Sequence, residues 1–300
     1  MSASAQEQLG FIGFGEAAAA FVEGWGALRP ERITAYDIKT DSADAGVRGA
    51  KRDDYERWRV DGCATLAQAL SDCGLVFSLV TADQALAAAE TAARCIAPDA
   101  LYLDCNSCAP GTKRRSARLI EEAGARYVDV AVMAPVRPAL HRTPLLLSGP
   151  HAEEAGRRLA ELEMTADLVP GDIGASSSVK MIRSVFVKGL EALVAEGVLA
   201  AREAGVDERV LDSLEASYPG FGWKERSAYM LERVMTHGVR RAAEMREVAL
   251  TVDELGLSGD MARATTAWQQ RIGELGIHAE PGDYRQRAET VLRHLRQSKE

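Results

Sequence analysis

The chain has 300 residues, 47% of them hydrophobic and 27% charged, the composition of a globular protein with room for two domains. Its 36 basic and 44 acidic residues give a net charge of −8 without a long basic stripe, so nucleic acid is not an expected partner. No apolar run approaches the ~20 residues that span a bilayer, and the first residues (MSASAQEQ) lack the basic and apolar parts of a signal peptide; no membrane association and a cytoplasmic location are expected. The five cysteines, Cys63, Cys73, Cys95, Cys105 and Cys108, lie in the first half and fit reduced thiols. Cys105 and Cys108 form a C-x-x-C with neither a partner pair nor a nearby histidine cluster, and no metal is expected.

The first element is the stretch from Gln8 to Asp37. An apolar run (Leu9 to Ile12) meets a glycine turn, a small-residue helix follows (Ala17 to Phe21), and a second run (Ile33 to Tyr36) ends in Asp37. This spacing predicts a βαβ unit with a dinucleotide fingerprint. Gly13 allows the sharp turn, and Gly15 keeps a Cβ away from a pyrophosphate. Ala18 lets the helix pack close to the strand, while the helix N-terminus offers its N–H groups to the phosphates. Asp37, about 20 residues on, is placed to accept from an adenosine ribose.

A charged stretch without an assigned element runs to Gly62. Beyond it the pattern predicts a helix over 65–70, a strand over 74–80, a helix over 83–95, a strand over 101–105 and a helix over 110–124. Strands over 125–133, 145–149 and 166–170 follow, with a helix over 151–162 before the last. Strands alternating with helices of ~10 residues imply an α/β protein with a Rossmann-type, doubly wound, mainly parallel sheet. From Gly174 onward no strand is expected. Residues 175–205 lack proline and repeat apolar residues at helical spacing (Val179, Ile182, Phe186, Leu190, Leu193, Val194), and Gly205 stops that helix. A second long helix is expected over 223–255 and a basic one after Asp283. The predicted domains are a dinucleotide-binding domain over 1–172 and an all-helical substrate and dimerisation domain over 173–300.

Four segments carry chemistry: VTADQA from Val80, DCNSCAP from Asp104, YVDVAVMAP from Tyr127, and GDIGASSSVKMIRS from Gly171. With these in place, the chain resembles the β-hydroxyacid dehydrogenase superfamily, the relatives of 6-phosphogluconate and 3-hydroxyisobutyrate dehydrogenases, over nearly its whole length. The family's G-x-G-x-x-(G/A) falls on Gly13, Gly15 and Ala18, its D-x-S-T-x-x-P loop on Asp104 to Pro110, and its G-x-x-x-K helix on the segment carrying Lys180. The second half, with KGLEAL from Lys188 and HGVRRAAEM from His237, resembles a phosphogluconate-dehydrogenase-like branch. Where the family has D-x-P-V-S-G-G for substrate, this chain reads Asp129-Val130-Ala131-Val132-Met133-Ala134-Pro135. The family's asparagine one turn after the lysine is here Ser184, beside Arg183.

The resemblance implies an NAD(P)-dependent oxidoreductase that moves a hydride between cofactor and a small hydroxy acid or sugar acid. Lys180 is the general acid or base, with Ser107 and Ser184 as further catalytic residues. A neighbouring cation such as Arg183 would lower the lysine's proton affinity. Gly13, Phe14, Gly15, Glu16, Ala17, Asp37, Lys39, Val80, Thr81 and Asn106 are expected at the cofactor, and Met133, Arg183 and His237 at the substrate. NAD is favoured over NADP because Asp37 ends a strand, whereas Lys39, Arg48, Lys51 and Arg52 are placed on a mobile loop. Alternatives are an imine reductase or sugar-acid oxidoisomerase on the same scaffold, or a catalytically silent NAD(P)-binding sensor. A homodimer is expected because two long amphipathic helices expose more apolar surface than one small domain covers.

Overall fold

A computed structural model describes residues 8–297; the N-terminal residues read above for a signal peptide lie, apart from Gln8, outside the described residues. Two compact units divide between Met181 and Ile182.

The first unit is an eight-stranded sheet in the order β3-β2-β1-β4-β5-β6-β7-β8. Its elements are β1 (Gln8–Ile12), α1 (Glu16–Trp25), β2 (Ile33–Tyr36), α2 (Ala45–Trp58), β3 (Asp61–Gly62), α3 (Leu66–Leu70), β4 (Cys73–Ser78), α4 (Ala85–Ala92), β5 (Leu101–Asp104), α5 (Pro110–Glu122), β6 (Arg126–Val132), β7 (Leu145–Ser148), α6 (Ala152–Glu161) and β8 (Ala166–Leu168). All pairings are parallel except β6 with β7. Side chains alternate faces along each strand, and both faces are apolar because both are covered. On one face Leu9, Phe11, Leu75, Phe77, Leu101, Leu103, Val128 and Val130 pack with Phe21, Trp25, Ala155 and Leu159 from α1 and α6. On the other, Ile12, Val76, Tyr102 and Tyr127 pack with Leu66, Leu70, Ala89, Ala92, Ala117 and Ile120 from α3, α4 and α5.

The charged stretch after Asp37 is ordered, which corrects the expectation of a mobile loop. Lys39 sits on a 3-10 turn (Ile38–Asp41), while Arg48, Lys51 and Arg52 belong to α2. The helix escapes an apolar-periodicity reading because it buries only Lys51 and Tyr55. Its start is set by Asp44, whose carboxylate accepts from the Gly46 and Val47 N–H groups.

The second unit holds most of α7 (Ala175–Glu203), then α8 (Asp207–Ser217), α9 (Trp223–Glu254), α10 (Asp260–Gly273) and α11 (Tyr284–Gln297). Its core joins Val194, Val198, Leu199, Leu211, Leu231, Val234, Ile272 and Val291. The apolar periodicity of α7 is only partly internal. Val194 is buried, but Val179, Ile182, Phe186 and Leu193 are exposed, Phe186 to 73%. Arg241 is buried and paired with Glu191, and Lys188 pairs with Glu244 at 2.6 Å. No helix of the described residues is long and apolar enough to cross a membrane.

The division at Met181 falls nine residues beyond the expected boundary near 172, inside one continuous helix. The first turns of α7 belong to the sheet unit because Asp129 on β6 accepts from the backbone N–H groups of Gly174 and Ser177.

Candidate active site

The turn after β1 has the geometry its residues demand. Gly13 has φ +81, and a Cβ there would lie 2.5 Å from the Leu79 carbonyl oxygen. Only glycine suits both conditions. Gly15 is the opposite case, since nothing lies within 4 Å of a Cβ built on it. It opens α1 without a side-chain cap, so the first N–H groups of that helix, those of Glu16 and Ala17, stand at a positive helix end beside that open space. Ala18 behind them is fully buried. A pyrophosphate fits this cradle.

Asp37 directly follows β2 and is fixed from both sides. Its Oδ2 accepts from the Phe14 N–H at 2.9 Å and its Oδ1 from the Lys39 N–H at 3.0 Å. The Phe14 N–H is therefore committed to Asp37, and the Phe14 ring lies in the core, tilted against Tyr55 at 5.5 Å. Lys51 reaches back from α2 to donate to the Phe14 carbonyl at 2.6 Å and to Asp54 at 2.9 Å, with its ammonium 4.0 Å from Asp37. Each carboxylate oxygen of Asp37 keeps an acceptor site for a ribose hydroxyl.

A row of buried polar residues crosses the sheet near its carboxyl edge: Ser78, Asp104, Asp129 and Ser148 are register partners on β4, β5, β6 and β7. All are fully buried, and so is Lys113 from the first turn of α5. The Lys113 ammonium donates to the Asp104 carbonyl at 2.5 Å and to Asp104 Oδ1 at 3.0 Å, and lies 3.4 Å from Asp129 Oδ1. Burial alone would lower the lysine's pKa; Asp104 and Asp129 outweigh it and hold the group charged. Tyr127 donates to Asp104 Oδ2 at 2.7 Å, and burial followed by that carboxylate drives its own pKa upward.

Asn106 locks this row to the cofactor edge. Its Nδ2 donates to Ser78 Oγ and to Asp104 Oδ1, and its Oδ1 accepts from the Val80 N–H at 2.7 Å. Both amide hydrogens are thus spent inside the protein, while the neighbouring Ser107 brings a hydroxyl to the edge. Ser107 Oγ accepts from Lys180 Nζ at 2.5 Å. Lys180 is placed there by α7, whose N-terminus is capped by Asp129 through Gly174 N, Ser177 N and Ser177 Oγ. The glycine turn, Leu79 and Val80, Asn106, Ser107 and Lys180 thus form one continuous edge.

Thr81 is exposed at the start of a 3-10 turn after Val80. Met133 is half-buried, and its N–H donates to the Pro144 carbonyl at 2.9 Å. In the second unit Ser184 is buried and Arg183 exposed on α7, while His237 is half-buried on α9. Burial first, then Arg233 and Arg240, lower the His237 pKa. Cys105 and Cys108 are buried free thiols, and burial pushes Cys105 up to about 12. Lys113, Tyr127, Ser148, Ser176 and Ser177 carry the site's support and were not expected from the sequence. The signal was present in Asp104 and Asp129, two acids in apolar strands that require a cation between them.

A mainly parallel sheet of this order, with a glycine turn after β1 and an acid after β2, defines a Rossmann-type dinucleotide-binding protein. Residues 8–167 match the NAD binding domain of 6-phosphogluconate dehydrogenase, and the chain belongs to that family within the β-hydroxyacid dehydrogenase superfamily. Residues 201–272 match a domain of unknown function. A conserved hypothetical protein from Sinorhizobium meliloti 1021 is 34% identical, with a TM-score of 0.74 and 97% of each chain covered. The 3-hydroxyisobutyrate dehydrogenase of Mycobacterium tuberculosis, solved with L-serine, shares the fold at 14% identity and a TM-score of 0.72, over 95% of this chain and 99% of that one. An uncharacterised 28.5 kDa protein of Methanothermus fervidus is 24% identical over 200 residues, 67% of this chain and 76% of its own.

Proposed function

We propose that the protein is an NAD(P)-dependent oxidoreductase that interconverts a small hydroxy acid or sugar acid with its oxo counterpart. The observation that carries this reading is the Lys180–Ser107 hydrogen bond, set at the end of an edge that begins at the glycine turn. A bound nicotinamide supplies the hydride chemistry. Lys180 takes the substrate's hydroxyl proton in oxidation and returns it to the carbonyl oxygen in reduction. Ser107 shares a hydrogen bond with that ammonium and holds it toward the reacting oxygen. Gly15, Glu16 and Ala17 supply backbone N–H groups to the pyrophosphate, while Asp37 takes the adenosine ribose, with Lys39, Val80 and Thr81 alongside. Asn106 acts beneath them by fixing Val80 and Ser107. Ser184, Arg183 and His237 are proposed as further substrate contacts on the strength of the family resemblance.

NAD is the favoured cofactor. Asp37 is held by two backbone N–H groups, so its charge cannot swing away from a 2′-phosphate, and Lys51 is engaged by Phe14 and Asp54. The chain is proposed to act as a homodimer through the exposed apolar residues of α7.

Imine reduction is a second reading with its own support. In the segment that replaces the family's S-G-G, Met133 commits its N–H to Pro144 and Pro135 has none, which removes two backbone donors for a substrate carboxylate. A screen at 340 nm of hydroxy acids, sugar acids and cyclic imines with both cofactors tests the two readings together. Turnover of a hydroxy or sugar acid supports the first, turnover of imines alone supports the second, and cofactor binding without any turnover leaves a silent sensor.

A further inference from the structure

The Lys113 ammonium, with no exposed surface, lies between two carboxylates that organise different parts of the candidate site. Asp104 orders the loop of Ser107, because its Oδ1 accepts both the backbone N–H and the side-chain amide of Asn106. Asp129 orders the helix of Lys180, because its Oδ2 accepts from Gly174 N and Ser177 N and its Oδ1 from Ser177 Oγ. Ser148 and Ser176 complete that grip, Ser148 through Asp129 Oδ2 and Ser176 through the Asp129 carbonyl. Asp104 and Asp129 are register partners on adjacent strands, so without a cation two buried negative charges would stand side by side. Gly174 tightens the same junction, since a Cβ there would come within 3.1 Å of Pro110 at the start of α5.

We propose that Lys113 is the positioning residue of the site: by clamping Asp104 to Asp129 it sets the separation of Ser107 from Lys180. This rests on the reading of Lys180 as the proton-moving group, but the position of that amine can be measured without any turnover. Lys113 touches neither the reacting atoms nor the cofactor cradle. It acts through two carboxylates on the two segments whose meeting makes the Lys180–Ser107 hydrogen bond.

The test is competitive acetylation of the apo protein with acetic anhydride, reading Lys180 against the exposed Lys39 by mass spectrometry. Lys113→Met alone leaves two unpaired carboxylates in the interior and invites unfolding. The double variant Lys113→Met/Asp104→Asn restores the wild-type net charge of the cluster while removing the clamp. Its Lys180 should label roughly fivefold faster than in the wild type, the factor that corresponds to losing one hydrogen bond's net contribution. Thermal stability and affinity for the cofactor serve as controls that the sheet and the glycine turn are intact. Lys113→Met/Asp129→Asn, which keeps the same net charge and removes the clamp from its other side, should move labelling in the same direction and decides the matter if the first double variant does not fold. Unchanged Lys180 labelling in whichever double variant folds overturns the proposal. Turnover by Lys180→Ala would instead overturn the proton-moving role and leave the clamp standing.

Discussion

Lys180 and Ser107 meet although 73 residues separate them, and the hydrogen bond between Nζ and Oγ joins the first turns of α7 to the loop after β5. Neither end is free to drift. Ser107 follows Asn106, whose amide is fully engaged, and Lys180 follows a helix start capped by a buried carboxylate. A lysine and a hydroxyl held together at the carboxyl edge of a dinucleotide-binding sheet have the geometry for moving a proton at a substrate oxygen.

The two glycines of the turn should separate fold from function. A Cβ on Gly15 meets no neighbour within 4 Å, and φ −102 is open to any residue, so Gly15→Val should lower stability by no more than about 1 kcal/mol. Cofactor affinity should drop by more than roughly tenfold, because the side chain enters the space left for the pyrophosphate. Calorimetric titration and thermal melts on the same sample check both halves. Undiminished binding would remove the pyrophosphate from this turn.

Cofactor choice should turn on Asp37. Removing its charge in Asp37→Ala leaves Lys39 and Lys51 nearby and should shift the ratio of NADP to NAD affinity by about tenfold toward NADP, after solvent screening. Wild-type protein that binds NADP more tightly than NAD in a direct titration would contradict the preference.

Asp129 should make the sheet unit acid-sensitive. Burial opposes its ionisation, but Lys113 and the Ser177 and Ser176 donors prevail, and its pKa lies below the ordinary carboxylate value. A group with a depressed folded pKa stabilises above its unfolded pKa, near 4, and that contribution is lost as pH falls through the folded value. Melting temperature should therefore decline below about pH 4. Asp129→Asn should be less stable at neutral pH and show a flatter acid limb; parallel curves would exclude Asp129 as the titrating group.

The fold was largely legible in the sequence because buried parallel strands are short apolar runs between glycines and helices, and each run from Leu9 to Leu147 became a strand. What was not legible has physical causes. The helix α2 buries a lysine and a tyrosine and presents no apolar stripe. Lys113 stands in the sequence T-K-R-R, which reads as solvated, and only the register of Asp104 beside Asp129 explains its burial. Lys180 and Ser107 were singled out from motif positions, whereas the polar row that holds them depends on strand pairing that periodicity does not reveal. The domain boundary moved because one cap, Asp129, binds the start of α7 to the sheet.

The exposed apolar residues of α7 should be covered by a second copy. Ile182, Phe186 and Leu193 recur at helical spacing with 42%, 73% and 62% of their surface exposed. Light scattering at micromolar concentration should give twice the 32.3 kDa chain mass, and Phe186→Glu should lower it toward that of one chain. A wild-type mass of one chain would contradict the dimer.

The most direct measurement compares Lys180→Ala with the wild type on the substrate found at 340 nm, recording turnover and cofactor affinity together. Turnover should fall by roughly 10²–10⁴-fold, the usual contribution of a general acid or base, with cofactor affinity unchanged within a few-fold. A variant that keeps more than about half of the wild-type turnover would contradict the assignment of Lys180 as the residue that moves the proton.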